Sequence, residues 1–300
     1  MSPRRVVVSG GTGYVGRFIV ERLLADDVAV NVLGRTRPGA DFFSGAVDFV
    51  EFQLGNQVPD GVFAGAEAFV HAAFDHVSGR YRGGEGDDPD TFVRRNRDGS
   101  MTLFDAAARA GVSRAVFLSS RAVYGSQPAA AELSEDTQPR PDTLYGQVKL
   151  ETEQMLAAMA GPGFEPVILR VTGVYGPAGR GRRHKWTDMF QTFLSGGMVP
   201  PRIATEVHGV DVAAAIVQML DAPPGSVAGE VVNVSDLLLD RSDLLALVGE
   251  AAGFSGMLPP RADAGAINVM STAKLRRLGW RPGGEALLRK TVKKMLRGDV

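Results

Sequence analysis

A chain of 300 residues with 44% hydrophobic and 22% charged side chains can bury a large core, either as one elaborated domain or as two lobes. Its formal net charge of −1 argues against a nucleic-acid or anionic-membrane partner, and the absence of cysteine excludes disulfides, thiolate catalysis and zinc–cysteine sites. Met1-Ser2-Pro3-Arg4-Arg5 runs into a strand pattern without the apolar segment of a leader, and no stretch is apolar enough to span a bilayer, so a cytoplasmic chain is expected.

In chain order, residues 5–9 read as a buried strand and 13–25 as a helix with apolar Val15, Ile19, Val20, Leu23 and Leu24 on one side. Strands follow over 28–33, 47–52 and 68–72, then a polar loop over 83–89 and a long helix over 90–110. A strand over 115–119, a helix over 144–159 and a strand over 166–170 complete the alternation. Continuous apolar strands alternating with helices predict an α/β fold, a Rossmann-type doubly wound parallel sheet. The pattern breaks after Val171: residues 173–205 are rich in Gly, Pro, Arg and aromatics, and 230–234 reads as one more sheet strand. The expectation is a nucleotide-binding domain over 1–172 with a sheet return near 208–234. A smaller substrate-binding lobe is then assembled from 173–207 and 235–300, with the cleft between them holding substrate.

Two motifs carry chemistry. Gly11-Thr12-Gly13-Tyr14-Val15-Gly16 directly follows Val6-Val7-Val8 and opens the first helix. In that strand–turn–helix context glycines let the backbone approach a pyrophosphate, which rests on the helix N-terminal amides. Tyr145 and Lys149 lie four residues apart, on one helix face. A nucleotide fold with a phenol and an ammonium side by side points to hydride chemistry on a hydroxyl or carbonyl.

In order and spacing, further segments join these motifs: Ser9-Gly10, Val70-His71-Ala72-Ala73, Asn96-Arg97-Asp98-Gly99, Ala110-Gly111-Val112, and Ser119-Ser120-Arg121-Ala122-Val123-Tyr124-Gly125. Leu169-Arg170 with Val174-Tyr175-Gly176-Pro177, His208-Gly209-Val210-Asp211-Val212-Ala213 and Leu278-Gly279-Trp280 continue the series. Together they resemble the extended short-chain dehydrogenase/reductases, the NAD(P)-dependent epimerase/dehydratase group. The resemblance implies Tyr145 as general acid/base and Lys149 as the ammonium that favours the phenolate and binds nicotinamide-ribose hydroxyls. It implies Ser120 as the hydroxyl orienting the reacting oxygen, with Ser119 on the opposite strand face. Cofactor contacts are implied for Gly10, Gly13, Tyr14, Val15, Gly16, Arg35, Gln53, Leu54, Ala72, Ala73, Asn96 and Lys149, Asn96 acting as a support or in a proton relay. Tyr124 and Tyr175 read as packing residues, and His71 and His208 as hydrogen-bonded strand-end residues. No metal-ligand spacing links the four histidines, so no metal is expected.

The stretch Val32-Leu33-Gly34-Arg35-Thr36-Arg37 lacks the acid that would bind the adenosine ribose diol. Arg35 suits a phosphate, which favours NADP, with NAD possible; stacking of Arg35 on adenine is the alternative. Gln53 stands where the family has an adenine-contacting Asp.

Dehydratases of the group carry Thr-Asp-Glu where this chain has Ser120-Arg121-Ala122, so elimination is not expected. Gly173 replaces the usual Asn of nucleotide-sugar members, and Ala204 with a displaced Arg202 replaces an Arg. Arg121, Arg182, Arg183 and Trp186 are the candidate substrate contacts, the last three within the basic segment over 180–186; that segment and a second one, Arg80-Tyr81-Arg82, could equally be solvated loops. The expected function is hydride transfer on a sugar or nucleotide-sugar-like substrate, as an oxidoreductase or epimerase. The alternatives are a reductase of a small non-nucleotide carbonyl compound and a non-catalytic dinucleotide-binding regulator. A small-molecule substrate is the expected partner, and a homodimer through the helices at 90–110 and 144–159 is expected by analogy.

Overall fold

Unbroken apolar strands leave the central sheet without a solvent face, and helices cover both sides. The computed structural model describes residues 4–77, 84–179 and 181–298, and the following account concerns those residues. Seven of their strands form one parallel sheet: β1 (Arg5–Ser9), β2 (Ala29–Gly34), β3 (Asp48–Glu51), β4 (Ala68–His71), β5 (Arg114–Ser120), β6 (Glu165–Val171) and β9 (Val231–Val234). Their order is β3-β2-β1-β4-β5-β6-β9. The chain reverses direction of travel across the sheet between β1 and β4, and an open α/β sheet forms its ligand crevice at that switch point.

Val6, Val8, Val32, Val70, Val116 and Leu118 pack under α1 (Tyr14–Ala25) and α6 (Gly209–Leu220). Their strand neighbours Val7, Phe69, Ala115, Phe117 and Ile168 pack under α3 (Gly99–Arg109) and α4 (Leu144–Ala157). Side-chain caps set the helix starts: Thr143 accepts from the amide of Gly146 at 3.1 Å, and His208 Nδ1 accepts from Val210 at 3.0 Å. By contrast, Gly13 caps α1 without a side-chain bond and leaves its first amides facing the crevice.

The helix expected over 90–110 is interrupted. Pro89–Val93 forms α2, Arg94–Asp98 makes one π-helical turn, and α3 begins at Gly99. The wide turn brings Gly99 against the loop after β3, where a Cβ would lie 2.7 Å from the Gly55 amide nitrogen, and it turns Asn96 inward to 1% exposure.

Beyond β6, Thr172 alone separates that strand from β7 (Gly173–Tyr175). With β8 (Ile203–His208) and β10 (Leu237–Asp240), β7 forms a second sheet, in the order β10-β8-β7. Its Tyr175, Leu237 and Leu239 join α5 (Thr187–Leu194), α7 (Arg241–Ala252) and α9 (Gly284–Arg297) in a separate core around Phe193, Leu245 and Val292. The segment around α8 (Ala273–Arg277) does not stay in that lobe. Leu275 and Trp280 return to the main core, where Trp280 Nε1 donates to the Asp211 carbonyl at 2.9 Å.

Candidate active site

The glycine turn is a close-packed cradle. Gly10 has φ +72°, and a Cβ there would lie 2.7 Å from both the N and Cα of Ala73. A Cβ at Gly16 would lie 2.1 Å from the Gly10 carbonyl oxygen. The backbone therefore presses β1, α1 and the end of β4 together and presents the α1 amides bare, which fits an anionic diphosphate. Tyr14 Oη donates to the Gly176 carbonyl at 2.6 Å, tying this turn to the end of β7, and Val15 packs on the main core. Gln53 and Leu54 lie just after β3, Leu54 buried and Gln53 half-buried.

Ser120 ends β5 and caps the short 3₁₀ turn Arg121–Tyr124, its Oγ accepting from the Ala122 amide at 3.1 Å. The first turn of α4 presses on that segment: a Cβ at Gly146 would lie 2.5 Å from the Ala122 carbonyl oxygen. Glycine beside Tyr145 thus lets α4 sit directly on the Ser120 turn. The Tyr145 ring packs edge-on against Phe74, centroids 4.9 Å apart. Lys149, 4% exposed, donates to the Leu118 carbonyl at 2.6 Å and stands 4.6 Å from the ring centroids of both Phe74 and Phe117. Burial pulls its ammonium down to about 7, with Glu153 one helical turn away pulling the other way. At neutral pH this amine is poised between charge states, beside the phenol and at the carboxyl end of β5.

A buried polar layer supports this face. His71 Nδ1 pairs with Ser9 Oγ at 2.5 Å and Nε2 with Ser100 Oγ at 2.7 Å, while Ser100 donates onward to the Asn96 carbonyl. Ser100 must then accept from His71, which places the imidazole proton on Nε2. Burial, then the nearby Lys149, depress the His71 imidazolium to about 3, so it stays neutral. Ser119 points away from Ser120 and donates to Glu153, whose carboxylate is paired with Arg170 at 2.7 Å, both nearly fully buried. Tyr124 is fully buried and donates to Asn233 Oδ1 at 2.7 Å; Tyr175 is fully buried and stacks on Trp186, centroids 5.1 Å apart.

The remaining candidates disperse. Arg35 is exposed at the end of β2 and reaches Asp75 at 3.6 Å. Arg121 donates to the Asn268 carbonyl at 2.9 Å, and burial lowers its pKa. Arg182 donates to the Thr12 carbonyl at 2.7 Å and lies over the Phe42 ring, so it belongs beside the glycine turn. Arg183 is exposed and paired with Asp188. Trp186, 7% exposed, is held between Tyr175 and Phe190 in the smaller lobe's core. Arg80-Tyr81-Arg82 lies outside the described residues, as does Arg180 at the head of the other basic segment.

Three residues without any signal in the sequence stand in the site: Phe74, Asp75 and Glu206. Glu206 on β8 lies directly across from Gly173 on β7, where a Cβ would come 2.7 Å from its Oε2. It pairs with Lys185 at 2.5 Å, and burial pushes its carboxyl up while Lys185 holds it down. Ser120 pairs in register with Val171, so exposed Gly173 lies only two residues beyond a cross-strand neighbour of Ser120.

The chain is 31% identical over 241 residues to a UDP-glucose 4-epimerase of Azospirillum brasilense, covering 78% of this chain and 66% of that protein, just under two thirds of its length. It is 26% identical over 296 residues to a 4-hydroxy-2-methyl-3-oxo-4-farnesyl-3,4-dihydroquinoline-1-oxide ketoreductase of Stigmatella aurantiaca, covering 92% of this chain and 81% of that one. Among solved structures, the UDP-glucose 4-epimerase of Thermus thermophilus in complex with NAD superposes with a TM-score of 0.77 at 28% identity, over 99% of this chain and 100% of that one. Residues 6–235 match the model of the NAD dependent epimerase/dehydratase family. With the doubly wound sheet, the glycine cradle and the Tyr145/Lys149 helix in place, the chain belongs to that family, the extended short-chain dehydrogenase type of enzyme.

Proposed function

We propose that the chain transfers hydride at a hydroxyl or carbonyl carbon of a sugar or nucleotide-sugar-like substrate, as an epimerase or reductase. What supports this is that α4, which carries Tyr145 and Lys149, packs on the turn capped by Ser120 at the carboxyl end of β5, the same end of the sheet as the close-packed glycine turn. A nicotinamide dinucleotide bound in that turn supplies the hydride acceptor and donor. Gly10, Gly13 and Gly16 let the turn close on Ala73 and on the Gly10 carbonyl, and the diphosphate would rest on the amides that open α1, with Tyr14, Val15, Ala72 and Ala73 around it. Tyr145 exchanges a proton with the substrate oxygen, and the Lys149 ammonium stabilises the phenolate that results. Ser120 donates a hydrogen bond to the same oxygen and fixes its distance from Tyr145. Asn96 supports the β4 loop through its backbone bonds to Asp75.

Arg35 and the missing acid at Gly34 favour the 2′-phosphorylated dinucleotide, NADP, over NAD. The lobe of β7, β8 and β10 is assigned the substrate, and the working form is a cytoplasmic homodimer through α3 and α4.

A second reading, reduction of a small carbonyl compound without a nucleotide, draws on Gly173 and Glu206. There a buried acid, paired with Lys185, stands across from the glycine that replaces the usual Asn of nucleotide-sugar members. The Stigmatella relative is named a ketoreductase. Incubating the full chain with NAD or NADP and UDP-glucose, and separately with NADPH and a panel of hydroxyketones, tests both. Formation of UDP-galactose without net change in the dinucleotide supports epimerisation. Oxidation of NADPH by the ketones alone supports the second reading, and inertness in every combination sinks both.

A further inference from the structure

Asp75 sits in the loop after β4, and its backbone is held on both sides. Its N–H donates to Asn96 Oδ1 at 2.6 Å, and its carbonyl accepts from Asn96 Nδ2 at 2.7 Å. Asn96 is buried in the π turn and anchored to the Phe92 carbonyl at 2.9 Å. The carboxylate therefore has a fixed origin. One oxygen takes Arg95 at 2.9 Å, and the other takes Arg35 at 3.6 Å.

Arg35 leaves the end of β2 and Asp75 follows the end of β4, with β1 between them. Neighbouring strands lie about 4.8 Å apart, so this ion pair bridges roughly 10 Å across the mouth of the glycine turn. A dinucleotide seated on the turn must pass beside it. The family-type acid at the end of β2 is absent here, since Gly34 occupies that position. Asp75 brings a carboxylate to the same groove from the next strand over.

We propose that Asp75 selects between the two dinucleotides: it holds Arg35 and accepts hydrogen bonds from the adenosine ribose hydroxyls, and so restrains binding of the 2′-phosphorylated form. A 2′-phosphate must take Arg35 from Asp75 and stand near a fixed negative charge. A 2′-hydroxyl meets an acceptor and leaves the pair intact. Arg35 alone would make the site a phosphate receptor, whereas Arg35 with Asp75 makes it a balanced one. The proposal rests on the reading that a nicotinamide dinucleotide binds in this turn, and it stands whichever of the two the unaltered chain prefers.

The test is the dissociation constant of NAD and of NADP, each measured by titration calorimetry on the full chain. Asp75→Asn keeps the backbone bonds to Asn96 and removes the charge. It should shift the ratio of affinities toward NADP by about fivefold or more, the scale of an exposed ion pair with the added repulsion relieved. Arg95→Met leaves Asp75 to Arg35 alone and should shift the ratio the other way. In an Arg35→Ala background the part of the Asp75→Asn shift that acts through Arg35 should vanish and the part from direct repulsion should remain, so the shift shrinks without disappearing. A ratio that moves less than about twofold in Asp75→Asn overturns the proposal. So does an equal shift with Arg35 absent. If the unaltered chain binds neither dinucleotide, this proposal and the reading beneath it both fall. If it prefers NAD and Asp75→Asn still moves the ratio toward NADP, only the NADP assignment falls.

Discussion

Replacing Lys149 with Met should make the protein more stable and less functional at the same time. Lys149 is 4% exposed, and burial brings its ammonium from an ordinary 10.5 to about 7. Below pH 7 both the folded and the unfolded chain carry the proton, so the folded state bears the whole cost of the buried charge, on the order of 5 kcal/mol. As pH rises above 7 the native amine releases its proton while the unfolded one keeps it, and the unaltered protein gains about 1.4 kcal/mol per pH unit until near 10.5. Methionine fills the same slot between Phe74 and Phe117 and titrates nothing. It forfeits the hydrogen bond to Leu118, worth about 1 kcal/mol, and up to about 2 kcal/mol of cation–π attraction. The net expectation is a variant about 2–4 kcal/mol more stable at pH 6, with the advantage falling by roughly 3 kcal/mol at pH 9. Denaturant unfolding of both proteins at the two pH values, without added dinucleotide, measures this, and calorimetry on the same samples should show weakened NAD and NADP binding. A variant less stable at pH 6, or a stability difference that ignores pH, would refute the reasoning.

Tyr145→Phe should fold and bind dinucleotide normally while turnover falls by about 10²–10⁴, the usual loss for one acid/base; near-normal turnover on an identified substrate removes Tyr145 from the mechanism. Gly16→Ala forces a methyl to within 2.1 Å of the Gly10 carbonyl oxygen, so the turn must open. Dinucleotide affinity measured by fluorescence quenching should drop at least tenfold, roughly 1.4 kcal/mol, with a lower melting temperature. Gly173→Asn drives its Cβ against Glu206, costing about 1–3 kcal/mol, and Glu206→Ala in the same chain should restore most of the melting temperature. Additive losses in that pair would mean that the two side chains never meet.

The parts of the fold that were legible are those written locally. Gly10 to Gly16 follow a strand and open a helix, and Tyr145 and Lys149 differ by one helical turn, so short-range spacing alone sets them side by side. The doubly wound sheet was legible because its strands are buried on both faces and read as unbroken apolar runs. The π turn was not, because one widened turn leaves the apolar periodicity of the surrounding helix almost unchanged. Asp75 and Glu206 gained their positions from tertiary contacts. Asn96 lies 21 residues from Asp75, and Glu206 faces Gly173 across a sheet whose strands are far apart in sequence. The packing of Trp186 was hidden for the same reason: its stacking partner Tyr175 lies on another element.

The passage from β6 to β7 takes one residue, Thr172. No hinge fits in so short a span, so the first strand of the smaller lobe is mechanically an extension of the catalytic sheet. With the substrate assigned to that lobe, as proposed, the protein's preference has little room to be retuned by lengthening or shortening the chain near Gly173. It must be retuned by exchanging side chains on a rigid frame, one position at a time and in compatible pairs. Gly173 and Glu206 already have the form of such a pair: a side chain at 173 presses on the carboxylate end of Glu206, which must give way. Enlarging position 173 is therefore eased by changing the acid before, or together with, the glycine. That order serves laboratory redesign as much as natural descent.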